Sequence, residues 1–528
     1  MDEFDVIVVG GGSAGSAVAG RLAQAGKRVC LLEAGGRNNG MRVTIPGMLA
    51  FSTDAINYRF ETVPQKGLNG RVGYQPRGKG LGGSSAINAM VYIRGNRWDY
   101  DNWASLGCNG WAYDDVLPYF KRAEQNERGA DTYHGGKGPL FVSDQKYVNP
   151  GSSAFVEAAT QLQLPHNEDF NGETQAGFGL YQVTQKDGER WSAARAYVEP
   201  LRNHRNLDVR IGVTVEKLEI EEGRVSGVTY AVGKKSRTIK ARGAVVLSAG
   251  AFNSPQVLML SGIGPGEHLR EHGIDVVVDK PAVGADLQDH IDYVSSWESP
   301  NQDLLGDSLK GTIRMAKALI EHRRRKTGPW TSPYAEAGGF WTVMPDAPAP
   351  DIQWHFVPAM LEDHGRTKVK GHGFSLHACV LRPESRGTVR LGSREAGDAP
   401  VIDPDFLSDD RDIATLREGV RLSHRIASSP ALQAFAPRDR YPIDLDDDAE
   451  LDKLIRNRAD TVYHPVGTCR MGADEDAVVD TRLKARGIEG LYVADASIMP
   501  RLVSGNTNAP SIMIGERCAD FVKAELAG

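Results

Sequence analysis

Apolar and polar residues alternate in blocks at the start of the chain, in a way typical of a strand–helix–strand unit. Residues 4–9 (FDVIVV) form a short run with β-branched side chains, and residues 27–32 (KRVCLL) form a second run that Glu33 closes. Between these runs, apolar residues from Ala14 to Leu22 recur at helical spacing. Because fully apolar runs are typical of parallel strands covered on both faces, we predict a βαβ unit here.

Three later segments repeat parts of this pattern. Residues 244–250 (AVVLSAG) and 491–497 (LYVADAS) each predict an apolar strand that ends in small or polar turn residues. Residues 511–526 carry apolar side chains at helical spacing and predict a final helix. One nucleotide-binding fold is therefore predicted from the start, the middle and the end of the chain.

The turn after the first strand has a sequence with a specific chemistry. Gly10, Gly12 and Gly15 satisfy GxGxxG, which allows a tight turn, close approach of a pyrophosphate and close helix–strand packing. The helix N-terminus adds unpaired N–H groups for the phosphates. Glu33 can accept hydrogen bonds from both ribose hydroxyls and disfavours the 2′-phosphate of NADP. The motif predicts a dinucleotide site without distinguishing FAD from NAD.

Composition excludes several classes of protein. The chain of 528 residues has a net charge of −6, which argues against a generally basic nucleic-acid binder. No apolar run is long enough to predict a transmembrane helix. The five cysteines form no CxxC pair and no zinc spacing, so no metal site is predicted and a cytoplasmic protein is the default.

A second glycine-rich segment, residues 77–95 (RGKGLGGSSAINAMVYIRG), is rich in free N–H donors and hydroxyls. Such a loop can surround an anion or the polar edge of a ring. Ile87, Met90, Val91 and Ile93 make it too apolar for a solvated linker. Together with the first motif, this segment favours FAD.

These segments resemble the glucose–methanol–choline (GMC) flavoprotein oxidoreductase family, and the resemblance covers nearly the whole chain. The matching motifs are residues 78–88, 250–264 (GAFNSPQVLMLSGIG), 281–290 (PAVGADLQDH), 463–472 (YHPVGTCRMG) and 505–510 (GNTNAP). Within the family, the choline dehydrogenase-like and bacterial alcohol dehydrogenase branch is most similar, through residues 373–377 (GFSLH) and 382–391 (RPESRGTVRL).

The resemblance implies an α/β FAD-binding Rossmann-like domain and an α+β substrate domain with an antiparallel sheet, an architecture like that of p-hydroxybenzoate hydroxylase. Residues 388–391 (TVRL) are consistent with that antiparallel sheet. The implied FAD-binding domain takes residues 1–155, 196–300 and 461–528, and the implied substrate-binding domain takes residues 156–195 and 301–460.

The resemblance also implies which residues surround FAD, and we predict that the cofactor is not covalently bound. Some members attach the flavin to a histidine just before the Asn of the first signature, whereas this chain has Ile87 there. The implied contacts are Gly10, Gly12, Ser13, Ala14, Gly15, Glu33, Ala34, Gly83, Ser84, Asn88, Ala89, Met90, Val91, Val215, Asp495, Ala496, Asn508 and Ala509.

Two residues are candidates for the chemistry of alcohol oxidation. Flavin N5 can accept a hydride, and hydride leaves readily only while a base removes the hydroxyl proton, a task that suits histidine. His464, in front of Pro465, resembles the family's catalytic histidine. Asn508 lies 44 residues later, at the family's spacing for its second active-site residue, and can orient the alcohol oxygen.

Three residues are weaker candidates for the substrate pocket. Tyr463 stands beside His464, His355 resembles a substrate-site histidine of choline-oxidising relatives, and Glu336 stands where such relatives have a carboxylate for the quaternary ammonium. For His355, a core or interface role is an equal alternative. His290 is expected to be structural. The string around Glu336 also resembles that of relatives acting on uncharged alcohols, which favours a neutral substrate over choline.

We therefore expect an FAD-dependent alcohol oxidoreductase that converts a primary alcohol, aliphatic or aromatic, to the aldehyde. Oxygen or a quinone would accept the electrons, and a quinone would bring the protein to the inner-membrane surface. Two alternatives stay open: a choline dehydrogenase or oxidase, and a GMC-fold lyase or decarboxylase without net flavin reduction. Light-driven relatives have a cysteine about where Leu381 stands, and Cys379 is out of register with it. The oligomeric state is not predicted.

Overall fold

The computed structural model describes residues 2–527, with the side chain of residue 364 outside that description. Within this range the α-helices are α1 (Ser13–Gln24), α2 (Met41–Thr44), α3 (Arg97–Ser105), α4 (Tyr113–Ala123), α5 (Pro150–Gln161), α6 (Gly250–Leu260), α7 (Gly266–Glu271), α8 (Leu309–Arg325), α9 (Asp410–Ala427), α10 (Pro430–Gln433), α11 (Asp448–Arg458) and α12 (Asn508–Glu525).

The strands, also numbered in chain order, are β1 (Glu3–Val9), β2 (Val29–Glu33), β3 (Phe60–Glu61), β4 (Tyr74–Gln75), β5 (Glu124–Asn126), β6 (Leu140–Val142), β7 (Gly177–Leu180), β8 (Gln185–Lys186), β9 (Glu189–Arg190), β10 (Leu207–Ile211), β11 (Thr214–Glu221), β12 (Arg224–Val232), β13 (Lys235–Leu247), β14 (Ile263–Gly264), β15 (Val278–Asp279), β16 (Ile291–Ser299), β17 (Gly306–Asp307), β18 (Ala337–Trp341), β19 (Ile352–Val357), β20 (Gly371–Val380), β21 (Thr388–Arg390), β22 (Val401–Asp403), β23 (Arg438–Asp439), β24 (Asp460–Thr461) and β25 (Leu491–Val493).

The N-terminal pattern forms the centre of a seven-stranded sheet. Its order is β10–β2–β1–β13–β12–β11, and β25 also pairs with β13. β1 runs parallel to β2 and β13, and β25 runs parallel to β13, so the carboxyl ends of these strands share one edge. The predicted Rossmann-like sheet, assembled from the start, middle and end of the chain, is confirmed.

Two helices on this sheet bring distant parts of the site together. α1 begins just after β1 and buries Val18 and Leu22. α12 crosses it so closely that a Cβ on Gly515 would overlap Ala14. The starts of the two helices also lie together, because the Ser13 hydroxyl donates a hydrogen bond of 2.8 Å to Oδ1 of Asn508.

A second, eight-stranded sheet is antiparallel, as predicted for the substrate domain. Its main path is β23–β16–β20–β19–β18–β7, and β17 and β24 pair at its side. A separate core covers this sheet, with Phe155 of α5 and Leu416 of α9 among its buried side chains. Strand β21, expected in this sheet, instead pairs only with β22 among the described residues. A three-residue strand followed closely by a partner pairs locally.

The predicted division into two domains stays a prediction, and two elements cross its boundaries. β16 pairs within the second sheet although it lies before residue 300. α5 begins at Pro150, before residue 155, yet packs against the second sheet. An apolar pattern predicts that a strand or helix forms, but it does not say which sheet that element joins.

Candidate active site

A cavity of about 1910 Å³ opens at the carboxyl edge of the first sheet, where doubly wound sheets bind their ligands. Strands β19 and β20 of the second sheet supply His355 and His377 to its wall. Of the residues predicted around FAD, those on the wall are Gly10, Gly12, Ser13, Ala14, Glu33, Ala34, Gly83, Ser84, Asn88, Ala89, Met90, Val91, Val215, Asp495, Ala496 and Asn508. Gly15 and Ala509 are not on the wall, but each directly follows a wall residue in the chain.

The first glycine turn fits a bound pyrophosphate. Gly10 has a φ of +98°, and a Cβ there would stand 2.5 Å from the carbonyl oxygen of Ser248. A Cβ on Gly15 would overlap the carbonyl of Gly10. A Cβ on Gly12 would meet only one atom, at 4.0 Å, because this residue faces the cavity. The first turn of α1, described in full, has no acidic side chain, which leaves its N–H groups suited to phosphate.

Glu33 accepts hydrogen bonds from the protein main chain that its predicted role does not require. Its Oε2 accepts a hydrogen bond of 2.9 Å from the N–H of Gly11, and its Oε1 accepts hydrogen bonds of 2.8 Å from the N–H groups of Gly35 and Gly80. The carboxylate therefore joins the two glycine-rich segments while remaining on the cavity wall. A ribose hydroxyl would have to share it with these backbone donors.

Two other predicted contacts also organise the wall. Asn88 Oδ1 accepts from Arg190 Nη1 at 2.7 Å and from the N–H of Met90 at 3.0 Å, which supports the left-handed φ of +62° at Met90. Asp495 Oδ2 accepts from the N–H of Gly250 at 2.8 Å and from the Ser254 hydroxyl at 2.5 Å. These bonds hold the glycine segments around a space that suits an extended dinucleotide.

The loop that carries His464 is fixed from its backbone. Tyr463, on the cavity wall, has a φ of +73°, and its carbonyl accepts a hydrogen bond of 2.6 Å from Arg77 Nη2. The N–H of His464 donates a hydrogen bond of 2.8 Å to Asp289 Oδ1, and Pro465 restricts the next residue. Asp289 Oδ2 also accepts from the Thr461 hydroxyl at 2.5 Å. This buried carboxylate therefore positions the imidazole through the main chain.

A chain of hydrogen bonds defines the tautomer of His464. His290 Nε2 lies 3.1 Å from the carbonyl oxygen of Leu381, which can only accept, so this nitrogen carries the proton. The Nδ1 of neutral His290 is then an acceptor, and it lies 2.9 Å from Nδ1 of His464. His464 must therefore be protonated on Nδ1, which leaves Nε2 as a free base.

Asn506 occupies the place beside His464 that the spacing suggested for Asn508. Its Nδ2 lies 3.2 Å from His464 Nε2, and its Oδ1 accepts a hydrogen bond of 3.2 Å from Gln353 Nε2. The Gln353 bond orients the amide so that nitrogen, not oxygen, faces the imidazole. Asn508 is the first residue of α12, and its side chain turns to Ser13 instead.

Electrostatics keeps this histidine cluster neutral. Burial lowers the pKa of His464 well below its ordinary value of 6.5, and His290, His355 and Arg77 lower it further. Burial lowers the pKa of His290 to about 3. Burial and the neighbouring His377 lower the pKa of His355 to about 3 as well. His464 Nε2 is thus unprotonated at neutral pH and available to accept a proton from a bound molecule.

The predicted substrate carboxylate does not face the cavity. Glu336 is fully buried, and its carboxylate accepts hydrogen bonds from the N–H of Asn149 at 2.6 Å and from the hydroxyls of Ser152 at 2.7 Å and Ser332 at 2.5 Å. Burial raises the pKa of Glu336. These partners give Glu336 a structural role in tying α5 to the segment before β18.

The pattern of residues did not indicate four residues at this site. His290 was expected to be structural, and Asn506 and Gln353 had no expected role; hydrogen bonds now join all three to the His464 network. A fourth, Asp292, is fully buried and its Oδ2 lies 2.6 Å from Nδ1 of His377. The motifs 281–290 and 505–510 contain His290 and Asn506, so the family resemblance contained a signal for both.

Comparison with known proteins identifies the family. Two family models, each described as GMC oxidoreductase, match residues 4–292 and 383–515. This chain belongs to the GMC oxidoreductases. It is accordingly an FAD-dependent oxidoreductase that acts on CH–OH donors, which confirms the predicted cofactor and class of enzyme.

Individual relatives agree with this assignment. The chain is 44% identical to an alcohol dehydrogenase [acceptor] of Pseudomonas putida, over 98% of this chain and 95% of that one. It is 40% identical to an oxygen-dependent choline dehydrogenase of Brucella ovis, with the same shares covered. The crystal structure of pyridoxine 4-oxidase from Mesorbium loti superposes with a TM-score of 0.88 at 31% identity, over 98% of both chains.

Proposed function

We propose that this protein oxidises a neutral primary alcohol to the aldehyde, with His464 as the base and Asn506 as the group that orients the alcohol oxygen. The observation that carries the proposal is the directed hydrogen-bond chain from Leu381 through His290 to His464. It leaves one unprotonated imidazole nitrogen beside an amide donor, which is the pair of groups that an alcohol hydroxyl needs.

In this proposal, His464 Nε2 takes the hydroxyl proton while the carbon–hydrogen bond breaks. Asn506 Nδ2 donates a hydrogen bond to the same oxygen as negative charge develops on it, and Gln353 keeps the amide in that orientation. FAD, when bound, supplies the acceptor for the hydride. The alcohol loses one proton and one hydride and becomes an aldehyde.

The charges near His464 support a neutral substrate over choline. Aromatic rings such as Tyr463 line the cavity, but a buried quaternary ammonium also needs a carboxylate to compensate its charge. Glu336 lies behind the wall, and Asp292 is engaged by His377. Asp289, the third carboxylate nearby, accepts hydrogen bonds from the His464 loop. None of these three lines the cavity as the structure describes it.

Mixing with alcohols in the absence of oxygen tests this function. We expect 1-butanol and benzyl alcohol to bleach the flavin absorbance, and choline to do so at least about tenfold more slowly at equal concentration, because Asp289, Asp292 and Glu336 do not line the cavity to compensate its charge. A protein bleached by choline alone would contradict the neutral-substrate proposal. A lyase or decarboxylase would give no net bleaching with any alcohol. The rate of recolouring after oxygen is added then separates an oxidase from a dehydrogenase.

The FAD is proposed to be held without a covalent bond. Ile87 lies on the cavity wall at the position where some relatives carry the attaching histidine, and its side chain has no nucleophilic atom. Acid precipitation of the purified protein is therefore expected to release all yellow flavin into the supernatant. Flavin that stays with the precipitated chain after washing would contradict this proposal.

A further inference from the structure

Helix α8 carries an exposed apolar stripe. Leu309, Ile313 and Ile320 are 79%, 48% and 55% exposed, and Ala316 between them is also exposed. Their spacing of four, three and four residues places all of them on one face of the helix. Exposing large apolar side chains to water is unfavourable, so a continuous stripe of them indicates a contact.

The opposite face of α8 already has its packing partners. Met315, Ala318 and Leu319 contact a small core that contains Ile45 and Trp330. The indole N–H of Trp330 donates a hydrogen bond of 2.8 Å to the carbonyl of Met315. The helix is therefore held in place without the outer stripe, and fold stability does not account for the exposed Leu309, Ile313 and Ile320.

Positive charges border the stripe. Lys310, Lys317 and Arg324 follow it at seven-residue intervals along one side, and Arg323 and Arg325 add to its C-terminal end. These five side chains form no ion pair with any residue that the structure describes. Glu321 is the single acidic residue of α8. A strongly basic helix on a chain whose net charge is −6 indicates a partner with negative charge.

The stripe adjoins the mouth of the cavity. Arg323 Nη2 lies 3.5 Å from the sulfur of Met41, which is 56% exposed. Phe51, 54% exposed, has its ring centroid 6.5 Å from that of Trp330 beneath α8, and Phe51 also lines the cavity. Exposed apolar side chains thus extend from α8 to the entrance of the site.

We propose that α8, with Met41 and Phe51, docks the protein on the surface of an anionic lipid bilayer. A helix with an apolar stripe bordered by basic side chains lies in the interface plane, with the stripe among acyl chains and the cations at the headgroups. No helix within residues 2–527 is long and apolar enough to cross a bilayer, so this contact is peripheral.

The charges favour a bilayer over a second copy of the chain. A symmetric contact through α8 would bring the same cations of two copies face to face, which is repulsive. A nucleic acid would use the cations and leave Leu309, Ile313 and Ile320 in water. Docking through α8 turns the cavity mouth towards the lipid, where an apolar alcohol or a lipid-soluble electron acceptor is concentrated. The surface is independent of the proposed chemistry at His464.

Vesicle sedimentation with the FAD-loaded full chain tests the docking surface. We expect binding to vesicles of phosphatidylcholine and phosphatidylglycerol, and little binding to phosphatidylcholine alone. Lys310→Gln/Lys317→Gln/Arg324→Gln should weaken binding about fivefold per charge removed at low salt, and high salt should weaken wild-type binding. Leu309→Gln/Ile313→Gln/Ile320→Gln should weaken it by about tenfold or more per side chain, because each loses burial in lipid.

Matched variants elsewhere control for general effects. Lys234→Gln/Lys235→Gln/Arg237→Gln removes three exposed cations from the β12–β13 hairpin, and Val232→Thr/Val277→Thr/Val401→Thr removes three exposed apolar side chains. Both should bind vesicles like the wild type. The proposal is overturned if the wild type ignores anionic vesicles, or if control and α8 variants lose binding equally. It is also overturned if the apolar α8 variant instead converts a dimer to a monomer.

Flavin bleaching by alcohol, measured without vesicles, keeps this outcome separate from the proposed function. All four variants should retain the wild-type flavin content and the wild-type rate of bleaching. A protein that binds vesicles through α8 but is bleached by no alcohol would leave the docking surface intact and remove the proposed chemistry.

Discussion

His464→Ala is expected to lower the rate of flavin reduction by alcohol about a thousandfold, within the 10²–10⁴ that a positioned general base contributes. The remaining groups of the cluster cannot replace it, because His290 presents its only free nitrogen to His464 and burial keeps its pKa at about 3. Flavin content should be unchanged, since the substitution leaves the glycine turn and the hydrogen bonds of Glu33 intact. Stopped-flow absorbance without oxygen measures the rate.

His355→Ala is the matched control, because His355 is the other cavity histidine near Asn506. It should change the limiting rate by less than about tenfold, as expected for a side chain that shapes the pocket without moving the proton. If His355→Ala were as slow as His464→Ala, or if His464→Ala retained the wild-type rate, the assignment of the base would fail.

The wild-type pH profile provides an independent check on the same base. The base must be unprotonated to act, and the environment lowers the pKa of His464 well below 6.5. The reduction rate should therefore stay level as the pH falls through 6.5 and decline only at lower pH. A decline centred at 6.5 would indicate a solvated histidine instead.

Because this cluster is buried, the positions of the protons on the two imidazoles are important. Two imidazole nitrogens 2.9 Å apart would repel each other if both were acceptors, and a buried imidazolium is costly without a carboxylate partner. The Leu381 carbonyl avoids this repulsion by accepting from Nε2–H of His290. Nδ1 of His290 is then an acceptor, and His464 carries its proton on Nδ1. Protonation of His464 during the reaction keeps the Nδ1–H bond to His290 and adds a proton only on Nε2. The histidine pair therefore keeps its hydrogen bond, whereas the Asn506 amide, whose nitrogen faces Nε2, must direct its donor to the substrate oxygen instead.

Local parts of the fold could be predicted from the sequence. The βαβ unit and the glycine turn are specified within residues 3–33, where both strands are mostly apolar and the turn needs glycine at Gly10 and Gly15. The placement of β16 could not be predicted, because its local sequence does not indicate which of the two sheets it joins. Its choice depends on partners such as β20 that lie far along the chain.

The candidate site shows the same limit. His464 could be predicted because its motif is local, whereas the contact between His290 and His464 joins positions 174 residues apart. Glu336 carried a plausible role in the sequence, but its orientation towards Asn149 and Ser152 is decided by how α5 packs. A spacing of 44 residues pointed to Asn508, yet counting residues cannot show that α12 begins there and turns that side chain to Ser13.

A comparison of Asn506→Ala with Asn508→Ala tests which of the two asparagines orients the alcohol oxygen. Asn506→Ala should lower the limiting rate of flavin reduction on the order of a hundredfold, since it removes a donor aimed at the oxygen on which charge develops. Asn508→Ala removes the acceptor of the Ser13 hydroxyl beside the first turn of α1. It should instead weaken FAD retention and leave the rate of the loaded enzyme within about threefold of the wild type.

Asn506→Asp separates hydrogen-bond donation from shape. The variant keeps the size of the side chain but turns an acceptor towards His464 Nε2. In the wild type this nitrogen lies 3.2 Å from the amide nitrogen of Asn506. A carboxylate there would raise the pKa of His464 and hold it protonated, so the rate should fall at least as far as in Asn506→Ala and recover partly as the pH rises. Because Gln353 already donates to Oδ1 of Asn506, the Asp side chain has no reason to turn away. If Asn508→Ala gave the large loss of rate and Asn506→Ala did not, the orienting role would return to the residue that the spacing predicted.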